Sequence, residues 1–280
     1  MSSLRFSTAS DDDIARFASV RTRDARSLDS YLGATMHATH RICAYDAGSP
    51  VGVVIAHQTS TVTEIIDLYV DRNMRDHGIG AQLLRDVVPE DTSWRASAHL
   101  DGASQAFLAR SSANDVALVH ALAGEIPKDD LLLASIGLEG EFTASEMNPN
   151  DRTIVLDLER LAGGRASVWL YDLRDEQSTG VTLWQKHECV GYAYLDTAGQ
   201  IGPLRVASPS YSAPMLAYAM HTLRAMLGVT WVRMNVPAAN SRALSFGLGC
   251  GMRLDRSFVR AASRSLGDLA TYVGFLPFAF

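Results

Sequence analysis

Cysteine is scarce in this chain. Three residues in 280, Cys43, Cys189 and Cys250, lie far apart and include no Cys-x-x-Cys pair. Such a set cannot build a disulfide framework, and it reads as free, buried thiols of a reducing cytoplasm. His37, His40 and His57 have no metal-ligand spacing, so no metal is expected. Positive charge is also short: 25 Lys and Arg against 31 Asp and Glu leave a formal net charge of -6. That excludes non-specific nucleic-acid binding, which needs clustered cations. No apolar run approaches the ~20 residues of a membrane span, and the Asp-rich beginning of the chain does not have the form of a secretory signal. The expectation is a cytoplasmic protein with neither nucleic acid nor membrane as partner.

What is present suits a globular protein. A hydrophobic fraction of 47% with 20% charged residues can fill real cores, and 280 residues allow one large or two small domains. Leu4 to Ala9 reads as a first strand, after which Asp11-Asp12-Asp13 supplies a cap and first-turn carboxylates for a helix through Arg21. Arg41–Tyr45 and Pro50–Gln58 form a hairpin about Asp46-Ala47-Gly48-Ser49, and Thr61–Val70 is the next strand. A strand at Trp94–Leu100 and a helix at Ala103–Arg110 follow, then a helical region over Ala113–Leu138 and a closing strand at Thr153–Leu158. Gly163-Gly164 marks a boundary between units 1–162 and 163–280. Beyond it the order recurs: strands at Val181–His187, Cys189–Leu195 and Gln200–Val206, a helix at Ala213–Leu227, a strand at Thr230–Val236 and a helix from Asn240. The order of elements repeats; the residues do not. Trp94, Trp169, Trp184 and Trp231 fall in expected strands and read as core. The apolar run Tyr272–Phe280 should pack as a last strand or against a partner.

The densest local signal is Leu68-Tyr69-Val70-Asp71-Arg72-Asn73-Met74-Arg75-Asp76-His77-Gly78-Ile79-Gly80-Ala81. A strand ends at Val70, a polar turn with two glycines follows, and an amphipathic helix runs on from Ala81 to Val88. The first N–H groups of a helix lack intrahelical acceptors, and the dipole favours negative charge there. Glycine removes the Cβ that would hold a pyrophosphate away. The first half should therefore bind a phosphate-bearing ligand. A Rossmann site is disfavoured, because its three-glycine fingerprint and later ribose-binding acid are not in place.

Arg75-Asp76-His77-Gly78-Ile79-Gly80, after the strand end Leu68-Tyr69-Val70, resembles the Arg/Gln-x-x-Gly-x-Gly/Ala loop of the GNAT family of acyl-CoA-dependent N-acyltransferases. The resemblance implies acetyl-CoA as acyl-donor cosubstrate, its pyrophosphate on the backbone of Arg75 to Ala81, with Arg75 and His77 beside phosphates. It also implies that the splayed strand end Leu68–Val70 pairs with the pantetheine arm. Asn240-Ser241-Arg242-Ala243-Leu244-Ser245-Phe246-Gly247-Leu248-Gly249-Cys250-Gly251-Met252 resembles a second segment of the same family. There Gly247 stands for a usual Tyr and Met252 for a Phe. The stretch Ala207–Pro214 that follows Val206 has no glycine loop, and its two prolines remove N–H donors. The fold implied is α/β (α+β): two tandem GNAT-like domains, each a mixed, largely antiparallel sheet flanked by helices, the second degenerate, in a plan similar to mycothiol synthase.

An amine must lose a proton to attack a thioester, so carboxylates on the strand before the loop are the catalytic candidates. Glu64 lies where histone-acetylating members place their base, and Asp67 is three residues further on; simple alternation puts them on opposite faces. The Tyr that serves the family as general acid is missing: Asp101-Gly102-Ala103-Ser104-Gln105-Ala106-Phe107-Leu108 brings Leu108 to that position, and Leu131–Leu138 also brings a Leu. Ser104 and Ser111 are weaker donor candidates, each also readable as a cap or surface hydroxyl, and His99 is a candidate acceptor contact. The reading is an N-acetyltransferase acting on a primary amine of a small molecule or peptide, as a monomer or homodimer. The alternative is a CoA-binding sensor, or a metabolite- or partner-binding module, on the same fold.

Overall fold

In a computed structural model of the chain, residues 4–21, 35, 38–59, 61–128, 132, 142–161 and 178–274 are described. They fall into two compact units. The first holds the chain up to Val116 together with Val259–Ser265, and the second holds Ala117–Phe258 and Leu266–Pro277.

In the first unit, β1 (Arg5–Thr8) leads into α1 (Asp11–Arg21). The cap is Ser10: its Oγ accepts from Asp13 N–H at 3.2 Å while Asp13 Oδ2 accepts from Ser10 N–H at 2.9 Å, a reciprocal pair. Strands β2 (His40–Asp46) and β3 (Ser49–Gln58) form the expected hairpin. Ala47 and Gly48 at its tip both have positive φ, the geometry of a type I′ turn. Strand β4 (Val62–Val70) pairs antiparallel with β3, and α2 (Ile79–Val87) follows. Strand β5 (Ser93–His99) and α3 (Gly102–Arg110) complete the expected run.

The two faces of this sheet carry different helices. Gly52 on β3 lies close under α2: a Cβ there would stand 3.4 Å from Ile79 and Leu83 and a tighter 3.1 Å from Tyr69 O. Val54, Ala56, Ile65, Trp94, Val259 and Ala261 share that core. On the opposite face Phe17 of α1 meets Tyr69 with ring centroids 5.6 Å apart. A sheet buried on both sides explains why β3 and β4 read as near-continuous apolar runs.

The second unit repeats the plan. Strands β6 (Asp115–Glu125), β7 (Phe142–Glu146), β8 (Thr179–Gln185), β9 (Glu188–Leu195), β10 (Gln200–Val206), β11 (Trp231–Pro237), β12 (Arg253–Ala262) and β13 (Tyr272–Val273) are joined by α4 (Arg152–Leu161), α5 (Ser212–Leu227) and α6 (Ser241–Gly249). The last residues of β12, from Val259, count with the first unit. Order β7-β8-β9-β10 is antiparallel throughout, and β11 runs parallel to β10 and antiparallel to β6. The core gathers Leu183, Leu204, Met215, Leu216, Met220 and Val236.

Three expectations are corrected. Asp115–Glu125, expected to be helical, is a strand, held residue by residue against β11 from Val119↔Pro237 to Glu125↔Trp231. Thr153–Leu158, expected to be a strand, lies in helix α4. Val155, Leu158 and Glu159 make its buried stripe at helical spacing, and an Asn148–Asp151 capping box with Pro149 starts the turn before it. Trp231, read as core, is half exposed at 50%. The boundary expected at Gly163-Gly164 lies outside the described residues, as do Trp169, His37 and Phe280. The compact units divide between Val116 and Ala117, and in the second β6 pairs with β11 and α4 packs on Tyr192 and Tyr194 of β9.

Candidate active site

The parallel ladder between β4 and β5 is short. It runs from Val62↔Ser93 to Ile65↔Ala96, and β4 then continues to Val70 without pairing to β5. A V opens between the strands from there to the end of β4. The neighbouring cavity measures about 820 Å³, within the range of small-molecule sites. Asp67, Ser97, Gly78, Ala81, Ser104 and Phe107 are among its walls.

The turn at the mouth is built by short local bonds. Met74 N–H donates to Asp71 O at 2.8 Å, and Arg75 Nε donates to Val70 O at 3.2 Å. The Arg75 guanidinium carries further donors on its terminal nitrogens, which could hold an anion. Gly78 has φ of 77° and is the residue before α2, and no side chain caps that helix. The first main-chain bond of the helix runs from Gln82 N–H to Gly78 O, so Ile79, Gly80 and Ala81 offer N–H groups with no helical acceptor. The two glycines do different work. A Cβ on Gly78 would meet nothing within 4 Å, so that position needs glycine for its left-handed backbone. A Cβ on Gly80 would stand 3.3 Å from the Phe107 ring, a tight contact that the ring would have to yield to by a few tenths of an ångström.

Each of Leu68, Tyr69, Val70, Arg75, Asp76, Gly78, Ile79, Gly80 and Ala81 borders this cavity. His77 does not; its Nδ1 lies 2.8 Å from Arg75 O, outside the lining. Asp76, with φ of 64°, has only a loose, exposed ion pair with Arg110 at 3.8 Å.

The expected opposition of Glu64 and Asp67 is overturned by a bulge. On β3, His57, Ala56 and Ile55 face Glu64, Ile65 and Asp67 in turn, so Ile66 is an extra residue in β4. Because His57 and Ile55 share a face, so do Glu64 and Asp67. Both are buried, at 5% and 3% exposure. Asp67 borders the cavity, whereas Glu64 is engaged through Oε1 by the Arg260 guanidinium. Arg260 also donates from Nη1 to Ser97 Oγ at 3.1 Å. Nothing in the sequence announced Arg260, which stands 196 residues beyond Glu64 in an ordinary strand.

Leu108 packs in the core at 5% exposure. Ser111 Oγ donates to Phe107 O at 2.8 Å, as a helix-end hydroxyl does. Ser104 borders the cavity, and its N–H is capped by Asp101 Oδ1 at 2.7 Å. His99 ends β5, and its side chain lies outside the described structure. Among the described residues there is no group of three His, Cys, Asp or Glu that could hold a metal. Nor is any helix there long and apolar enough to cross a membrane.

The second unit has the same V with a different occupant. Strand β10 carries a one-residue bulge, since Ile201 and Leu204 face Leu195 and Ala193. Its parallel ladder with β11 is only Gln200↔Arg233 and Ile201↔Met234. The gap beyond is filled by β13: Leu204↔Val273 and Arg205↔Tyr272 on one side, with Gly274 N–H to Asn235 O at 2.7 Å on the other. A buried Arg205 locks the segment, donating to Asp268 O at 2.6 Å, to Thr271 Oγ1 at 3.1 Å and to Glu159 Oε1 at 3.1 Å. Burial works against its charge, but Glu159 more than restores it, so the guanidinium pKa is raised. On α6, Asn240 caps the helix as Asp101 caps α3. At Gly247 a Cβ would stand 2.5 Å from Met234 Cε and 2.9 Å from Leu122 Cδ1, so a larger side chain would have to displace both of those side-chain ends.

Residues 9–113 match the acetyltransferase (GNAT) family. Among curated proteins none matches the chain in sequence. Solved structures share its fold at low identity. A proposed acetyltransferase from Pyrococcus horikoshii is 18% identical with a TM-score of 0.72, over 99% of this chain and 95% of that one. A tandem GNAT protein from the clavulanic acid biosynthesis pathway is 15% identical, TM-score 0.61, over 94% and 99%. A GCN5-related N-acetyltransferase from Sphaerobacter thermophilus is 14% identical, TM-score 0.59, over 96% and 98%.

Proposed function

We propose that the chain, whose residues 9–113 match the acetyltransferase (GNAT) family, transfers acetyl from acetyl-CoA to a primary amine of a small molecule or peptide. The observation that carries this is the open V of β4 and β5 beside an uncapped helix N-terminus, both bordering one cavity. In this reading the N–H groups of Gly78 to Ala81 and the Arg75 guanidinium hold the pyrophosphate. The edge of β4 at Leu68–Val70, splayed from β5, accepts the pantetheine amides as a short added strand.

The bound thioester supplies an electrophilic carbonyl carbon and a thiolate leaving group. The amine nitrogen bonds to that carbon, the C–S bond breaks, and the sulfur leaves with the electron pair. Asp67, buried on the bulged strand, takes the proton shed by the amine, directly or through a water. A thiol of pKa about 8.5 leaves readily enough that a donor phenol is dispensable. The charge of Glu64 is met by Arg260, which leaves Asp67 as the carboxylate that borders the cavity and faces the acceptor amine. Positioning supplies most of the rate, as expected where two reactants are held in one slot. The second unit, its gap filled by β13, is read as a non-binding partner domain, giving one cofactor per chain.

Leu108 in place of a donor favours a second reading, a CoA-binding sensor without turnover. Calorimetry with acetyl-CoA, followed by CoA release with a panel of amines, tests both. Binding with release supports the enzyme, binding without release supports the sensor, and no heat at millimolar acetyl-CoA overturns both.

A further inference from the structure

We propose that Arg260 is a positioning residue that sets the width of the V between β4 and β5, and with it the seat of the thioester arm. This rests on the cofactor reading above. Main-chain pairing of the two strands ends at Ile65↔Ala96. Glu64 lies one residue before that apex on β4, and Ser97 one residue after it on β5. The Arg260 guanidinium bonds to both, through Nη2 to Glu64 Oε1 and through Nη1 to Ser97 Oγ at 3.1 Å.

All three side chains share one face. Val259 and Ala261 pack in the α2 core, so alternation turns Arg260 the other way. Trp94, Ala96 and Ala98 line that same core and leave Ser97 on the Glu64 side. Ser263 keeps the segment in register on β5, its N–H bonded to Trp94 O at 3.0 Å and its Oγ accepting from Trp94 N–H at 2.9 Å. A guanidinium is a planar fork whose two ends lie at fixed separation, so two bonds to two strands define their spacing. An ammonium at the same place holds the charge of Glu64 but cannot span to Ser97.

The test compares two ligands on the full chain by calorimetry: acetyl-CoA, and adenosine 3′-phosphate 5′-diphosphate, which lacks the pantetheine arm. The wild type should prefer acetyl-CoA by at least about tenfold. Arg260→Lys keeps the ion pair and with it the fold. It should reduce that preference to about threefold or less while leaving the nucleotide affinity within about twofold. Ser97→Ala, which removes one arm of the clamp and no charge, should move the preference in the same direction. A preference unchanged in both variants overturns the proposal. So does a parallel loss of both affinities, which marks general destabilisation. If the wild type binds neither ligand, the cofactor reading itself has failed; if it binds the nucleotide but shows no preference, the slot reading alone fails.

Discussion

Glu64 and Asp67, three residues apart on β4, lie on the same face of the sheet because Ile66 is extruded as a bulge. An unbroken strand would have turned one carboxylate away from the other. The extra residue lets Glu64 hold the Arg260 clamp while Asp67 meets the cavity beside it. Under the proposed function the two acidic groups serve one site in different roles, one structural and one chemical.

Asp67→Asn keeps the shape of the side chain and removes its capacity to accept a proton. We expect kcat for acetyl transfer to fall by about 100-fold with little change in KM for acetyl-CoA. A steady-state comparison at several pH values decides it. Equal loss in affinity and turnover would assign Asp67 to cofactor binding instead.

Gly78→Ala forces a Cβ into a backbone with φ of 77°, although no neighbour lies within 4 Å. The cost is conformational, about 1–2 kcal/mol. Because that residue aims the first N–H groups of α2, acetyl-CoA affinity should drop by about tenfold or more. Thermal melts without ligand and calorimetry with it separate the two effects. Unchanged affinity in a destabilised protein would remove the turn from the binding site.

Much of the first unit was legible because its signals are local. Turn chemistry at Asp46–Ser49, a polar cap before α1 and the Gly78–Gly80 turn each specify structure within a few residues. The cap itself proved to be Ser10 and not one of the three aspartates, a shift of a single position. Where local pattern was ambiguous the reading failed. Thr153–Leu158 alternates well enough for a strand, yet the Asn148-Pro149-Asn150-Asp151 start signal outweighs it. Asp115–Glu125 has no polar face to declare a strand, and its pairing with β11 decides the matter from a distance. The bulge at Ile66 and the Arg260 clamp were invisible for the same reason, since both are fixed by partners on other strands.

Cys43 is fully buried, and burial pushes its thiol up to about 11 from an ordinary 9.0, with Tyr45 pulling it down and the charge of Asp13 adding to the rise. The folded state then binds a proton that the unfolded chain releases earlier. Stability from this group is present below about pH 9 and is lost as pH rises toward about 11. Denaturant titrations across that window should show a steeper alkaline decline for wild type than for Cys43→Ala. Identical slopes would place the thiol's ionisation outside the folding equilibrium.

Strand β13 should keep the second unit from taking a ligand where the first takes one. Its lock is Arg205, which at 3% exposure faces Glu159 at 4%. Removing the cation strands a buried carboxylate with the Tyr192 hydroxyl, 2.6 Å away, as a remaining donor. Arg205→Met should therefore destabilise the protein by about 3–5 kcal/mol, and adding Glu159→Gln should return part of that loss. The same change releases Asp268 O and Thr271 Oγ1, so limited proteolysis should gain a cut between β12 and β13. Wild-type protein should saturate at one acetyl-CoA per chain. Two equivalents of comparable affinity would mean that Tyr272–Gly274 leaves its gap in solution, and that the filled V is one state of the unit and not its resting structure.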